Sequence, residues 1–210
     1  MQGGYKMAKA ILILGESGTG KSTSMRNLDA DTTLVINVDG KPLPFRNKLK
    51  TVACDNAEQI VMILNEYGQK VKTIVIDDSQ FVMANEYMRR AKEVGYQKFT
   101  DIGQHFFSIL DTIRKLPEEV CVFFLHHTEI DQWGNTKAKT IGKMLDSVIT
   151  LESKFTIVLQ TIVNNGKYGF MTHNSGTNTV KSPFEMFSED VIPNDLKLVQ
   201  DTVEQYYVVF

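Results

Sequence analysis

The segment GESGTGKS at residues 15–22 leaves few folds open to this chain. It follows a continuous apolar run at residues 8–14 and precedes a stretch, 21–28, that can open a helix. The spacing fits G-x-x-x-x-G-K-[ST], with Gly18 as an additional glycine. Glycines placed this way let successive backbone N–H groups curl around an anion at a helix N-terminus, where the helix dipole favours negative charge. Lys21 can then reach the outer phosphates of a nucleoside triphosphate, and Ser22 offers a hydroxyl to Mg²⁺. Gly15, Glu16, Ser17, Gly18, Thr19, Gly20, Lys21, Ser22 and the adjoining Thr23 are the expected nucleotide-binding residues, with ATP and Mg²⁺ as the expected cofactors.

Strand and helix signals alternate downstream. An apolar run at 33–38 ends at Asp39-Gly40, and Asn56 can cap a helix over 57–67, where Ile60, Ile63, Leu64 and Tyr67 recur at helical spacing. Residues 71–76 read as a buried strand running into Asp77-Asp78, and 81–90 as a helix. Ile102, Phe106, Ile109, Leu110 and Ile113 mark a further helix stopped by Pro117, and residues 120–125 form another buried strand that closes at His126-His127. Polar residues 128–143 predict a long mobile loop followed by a helix from about residue 141. Runs at 154–163 and 167–172 flank Asn164-Asn165-Gly166, a hairpin signal, and a last helix is expected after Pro193, at Asn194. Such alternation predicts an α/β fold with a mostly parallel sheet flanked by helices. At 210 residues the chain suits one domain, with a core over about 8–163 and a C-terminal hairpin and helix over about 154–210.

Nothing in the chain approaches the run of about 18 apolar residues that a membrane span needs. The opening nine residues carry no apolar signal core, so a cytoplasmic protein is expected. Cys54 and Cys121 each sit in or beside an apolar run, which suits buried thiols better than a disulfide or a cysteine metal site. A net charge of −2 gives no global basic field, so nucleic-acid binding would have to come from local clusters.

Asp77 ends a hydrophobic strand, where a carboxylate can hold Mg²⁺ or its waters beside Ser22. Two carboxylates compete to orient or deprotonate an attacking water: Asp39, just beyond the second strand, and Asp78, directly after Asp77. His126, with His127 as the fallback, closes a strand expected beside the first, from which a polar side chain could sense the γ-phosphate. Two basic and aromatic stretches could contact single-stranded nucleic acid. They are residues 87–99, with Arg89, Arg90, Lys92, Tyr96 and Lys98, and the loop around Trp133, Lys137 and Lys139.

The order of motifs resembles that of phage-encoded RecA-like P-loop ATPases that act in single-strand annealing and recombination. The residues carrying the resemblance are GESGTGKS at 15–22, INVDG at 36–40, IVIDDSQ at 74–80, FFLHH at 123–127, KTIGKMLD at 139–146, and the late KSPFEMF and IPNDL. The resemblance implies a P-loop NTPase with a RecA-like core. Asp77 would be the Walker B residue, Asp39 would match the base, His126 the strand-end sensor, and residues 87–99 and 128–143 two DNA-binding loops. It further implies a single-stranded DNA partner, a single-strand binding protein alongside, and a homo-oligomer in which Lys137, Lys139 or Lys143 reaches a neighbouring protomer's γ-phosphate. Asp39 is shorter than the glutamate of RecA, and the chain lacks room for RecA's additional domains. A nucleotide-dependent switch or loader holding a protein partner is the alternative. A small-molecule kinase is disfavoured because no arginine-rich lid is present.

Overall fold

The computed structural model describes residues 7–208. Strand β1 (Lys9–Gly15) is followed by β2 (Thr33–Asn37), β3 (Lys50–Ala53), helix α1 (Ala57–Tyr67), β4 (Thr73–Asp77), α2 (Gln80–Arg89), α3 (Gln97–Ile113), β5 (Cys121–Ile130), β6 (Thr136–Ala138), β7 (Ile157–Asn164), β8 (Lys167–Met171), β9 (Val191–Pro193) and α4 (Leu196–Val208). The sheet runs β3-β2-β4-β5-β1-β7-β8-β9, with β6 pairing off β5. The first six strands in that order are parallel, and β8, β9 and β6 join antiparallel. The α/β architecture expected from the sequence is therefore present.

The central strands read as unbroken apolar runs because both of their faces are covered. Along β1, Leu12 and Leu14 join a core closed by Ile60 and Leu64 of α1 and by Ile102, Phe106 and Ile109 of α3. Ile11 and Ile13 face the opposite core, closed by Met25, Leu28 and by Leu196, Val199 and Val203 of α4. Among the described residues no helix is long and apolar enough to cross a membrane.

Four expectations change. The helix expected over 21–28 is a two-turn 3-10 helix, Ser22–Asn27. Ser24 Oγ bonds back to the Lys21 carbonyl and Arg26 Nη1 to that of Thr23, and such side-chain bonds to the backbone compete with helix propagation. The loop expected over 128–143 is largely a hairpin. β5 continues past the histidines to Ile130 and pairs with β6 (Thr128 opposite Ala138, Ile130 opposite Thr136). Its turn is fixed by Asp131 Oδ1, which accepts from the amides of Trp133 and Asn135. In place of a helix from residue 141 there is a π-type turn, Met144–Val148, and a 3-10 turn, Leu151–Lys154. Strands β3 and β9, not expected from the sequence, are short edge pieces.

Candidate nucleotide and phosphate site

A cavity of about 890 Å³ opens at the carboxyl ends of the parallel strands, the usual place for ligands in such sheets. The loop after β1 forms one wall. Gly18 (φ 78°) and Gly20 (φ 94°) hold the left-handed conformation that lets the chain double back there. At Gly15 a Cβ would collide with Thr161 Oγ1 of β7 and lie 2.8 Å from Thr19 Oγ1. Those two hydroxyls are bonded to each other at 2.7 Å, and Thr19 also donates to the Glu16 carbonyl, so the loop is tied to the neighbouring strand.

Lys21 is 5% exposed, and its Nζ donates to the carbonyls of Gly15 and Glu16, each at 2.9 Å. Burial lowers its pKa below the usual lysine value, although the charges of Asp78, Asp77 and Glu16 oppose that. Ser22 Oγ donates to Asp77 Oδ1 at 2.9 Å. Asp77, at the end of β4, is 4% exposed; burial and the adjacent Asp78 charge push its pKa up to about 6 against the pull of Ser22 and Lys21. The hydroxyl and carboxylate together give two hard oxygen donors, which fit Mg²⁺. Among the described residues no group of three or more His, Cys, Asp or Glu could hold a metal alone, so a cation here would take its other ligands from phosphate and water.

Asp78 lines the cavity with its backbone at φ 58°, a left-handed conformation that non-glycine residues seldom adopt. His127 Nε2 lies 3.1 Å from Asp78 Oδ1. Burial alone would raise the Asp78 pKa, but the His127 hydrogen bond and the charges of His127, Lys21 and Lys41 hold it below the ordinary value. Asp39, the competing carboxylate, instead forms an ion pair with Lys41 and is not part of the cavity lining, whereas Lys41 is.

Strand β5 lies beside the P-loop strand, as expected, with Leu14 opposite His126 and Gly15 opposite His127. The pleat sends the two histidines opposite ways. His127 lines the cavity; His126 is fully buried, against the expectation that it would be the group reaching a γ-phosphate. Its Nε2 bonds the Lys139 carbonyl at 2.8 Å, and its Nδ1 meets Ser79 Oγ at 2.9 Å. A carbonyl can only accept, so Nε2 carries the proton and Nδ1 accepts from the serine. Burial lowers the His126 pKa to about 4, keeping the ring neutral.

The cavity is also lined by Thr23 and Arg26 and, from the β7-β8-β9 side of the P-loop strand, across β1 from β4 and β5, by Tyr168 and Asn194. Tyr168 and Asn194 were not found by sequence reasoning: one belongs to the hairpin strand β8 and the other was read only as a helix start. Asn194 falls in the late IPNDL stretch, to which the resemblance attaches no role, and no motif marks Tyr168.

The two basic stretches are largely neutralised. Arg89 pairs with Asp55, and Arg90 binds Glu86, Glu93 and Asp101 at 3.0, 2.8 and 2.7 Å. Lys98 is 9% exposed and donates to the Glu93 carbonyl, while Lys137 pairs with Glu129 and Asp146. Val94, Tyr96 and Trp133 remain exposed.

A search of curated proteins found no match to the chain. A family model described as an AAA domain matches residues 7–184, which take in the glycine-rich loop, both aspartates of the β4 end and both histidines of β5. With the loop, the strand order and the paired acids in place, that match makes the chain a member of the AAA-domain family of P-loop NTPases.

Proposed function

We propose that the chain is a Mg²⁺-dependent ATPase that works on single-stranded DNA, as its resemblance to phage annealing and recombination ATPases implies. The observation that carries the ATPase part is the convergence of Lys21, Ser22–Asp77 and His127–Asp78 at one end of a single cavity. Lys21 would leave its carbonyl partners for the β- and γ-phosphates, and Ser22 and Asp77 would hold Mg²⁺, which supplies charge neutralisation when bound. Asp78, ionised and oriented by His127, is the carboxylate placed to align a water and take its proton. Asp39 is the weaker candidate because Lys41 already engages it.

For the partner, exposed Tyr96 and Trp133 suit stacking on unpaired bases. A second reading, a nucleotide-dependent switch or loader that holds a protein, is favoured by the internal pairing of Arg90 and Lys137 beside exposed Val94 and Ile130. Steady-state ATP hydrolysis with Mg²⁺, with and without single-stranded DNA at two salt concentrations, separates them. Salt-sensitive stimulation supports the DNA reading. Hydrolysis or binding of ATP that ignores DNA supports the protein-partner reading.

A further inference from the structure

Tyr168 of β8 and Asn194, just after β9, line the cavity from the side of the sheet across β1 from Asp78 and His127. We propose that Asn194 and Tyr168 form the nucleoside subsite, with the Asn194 amide donating to the sugar or base and the Tyr168 ring packing against the base. This rests on the reading of the cavity as a nucleoside triphosphate site.

The glycine-rich loop sets the direction. Lys21, Asp78 and His127 mark the γ-phosphate end, so the inner phosphate and the nucleoside must extend past Thr23 and Arg26, one turn further along the chain. Asn194 and Tyr168 stand there, both against Gly20. A Cβ on Gly20 would lie 3.0 Å from Tyr168 Cδ1 and 3.2 Å from Asn194 Nδ2. The remaining volume agrees, since about 890 Å³ is far more than three phosphates fill and lies within the range of small-ligand sites.

Asn194 provides the observation that points to a ligand. It is 4% exposed, and among the described residues its Nδ2 has no hydrogen-bond partner. Buried donors without acceptors are rare in folded proteins, and each calls for a partner such as a ligand, an ion or a bound water. The rest of this segment is well held. The Asn194 carbonyl accepts from Arg26 Nη1 at 2.7 Å, and Asp195 accepts from Asn27 Nδ2 at 2.7 Å. A fixed backbone therefore holds an unpaired, buried amide donor in the wall of the cavity. Tyr168, half exposed on the adjoining strand, offers a ring of the kind that stacks on a nucleobase. Asn194 lies beyond the family-matched residues 7–184, whereas Tyr168 lies within them.

The test compares binding of ATP and of inorganic tripolyphosphate by calorimetry, for the wild type, Tyr168→Ala and Asn194→Leu. The expected result is a loss of about tenfold or more in ATP affinity for each variant, with tripolyphosphate affinity unchanged. Asn194→Leu replaces an unpaired amide by an apolar group of similar size, so without ligand its thermal midpoint should equal or exceed that of the wild type; if it fails to fold, Asn194→Ala reads the same contrast. Equal losses for both ligands, or no loss for either, overturn the proposal, as does a wild type that binds ATP no better than tripolyphosphate. A wild type that binds neither overturns the nucleotide-site reading as well.

Discussion

Acidification should remove stability at one side chain, His126; Asp77, with its folded-state pKa raised to about 6, acts in the opposite sense and cancels when the wild type is compared with a His126 variant. The folded-state pKa of about 4, against an ordinary value of 6.5, arises chiefly from burial; the charges of His127 and Lys21 add to it, and the Lys139 carbonyl and Asp78 oppose it. Above pH 6.5 both folded and unfolded chains hold the ring neutral, and the stability it contributes is fully present. Between 6.5 and 4 the unfolded chain takes up a proton that the folded chain refuses, so stability falls with falling pH. Linkage puts the loss between pH 7 and pH 5 at about 2 kcal/mol. His126→Gln separates this from other acid effects. A glutamine keeps a donor for the Lys139 carbonyl but cannot be protonated, and losing the Ser79 partner should lower stability at pH 7 by about 1 kcal/mol. Urea unfolding followed by far-UV circular dichroism at both pH values gives the two slopes. The wild type should lose about 2 kcal/mol more than the variant on going to pH 5. Equal losses would refute the argument, showing that the ring either is solvated or has found a partner for its second proton.

The competing carboxylates separate by substitution. Asp78→Asn should lower the hydrolytic rate by about 100-fold or more while ATP affinity, measured by calorimetry, stays close to wild type; asparagine tolerates the left-handed backbone there. Asp39→Asn should leave the rate nearly unchanged, and a reversed pattern would return the base to Asp39. Gly15→Ala should lower stability by about 1–3 kcal/mol in a urea titration, because its Cβ meets Thr161 and Thr19. Adding Thr161→Ala should recover part of that loss, and a single variant as stable as the wild type would show that β7 can move aside.

Most of the central sheet was legible because its signals are local. Asn56 caps α1 by accepting from the Gln59 amide, and the helix keeps the bounds its spacing predicts. The hairpin turn at Asn165-Gly166 has φ values of 50° and 73°, as a two-residue hairpin turn requires. Other features were set by distant partners. β3 and β9 exist because an edge was available to pair with, and at four and three residues each is too short to show a strand pattern of its own. In β5 the sequence does not reveal which histidine faces the cavity, since a strand buried on both faces loses its alternation. The choice between Asp39 and Asp78 depended on an ion pair to Lys41 and a backbone turn at Asp78. Asn194 was hidden for the same reason: its position against Gly20 comes from a contact that spans most of the chain.

Strand β5 is continuous from the middle of the sheet to the hairpin that carries Trp133, and it passes the cavity at His127. The return strand is fastened at the same level, where the Lys139 amide donates to the His127 carbonyl and its carbonyl accepts from His126. The hairpin thus joins its exposed tip, with the molecule's single tryptophan, to the strand segment that brings His127 to the cavity, so a partner held at Trp133 would rest on the same paired ribbon as a residue that lines the cavity.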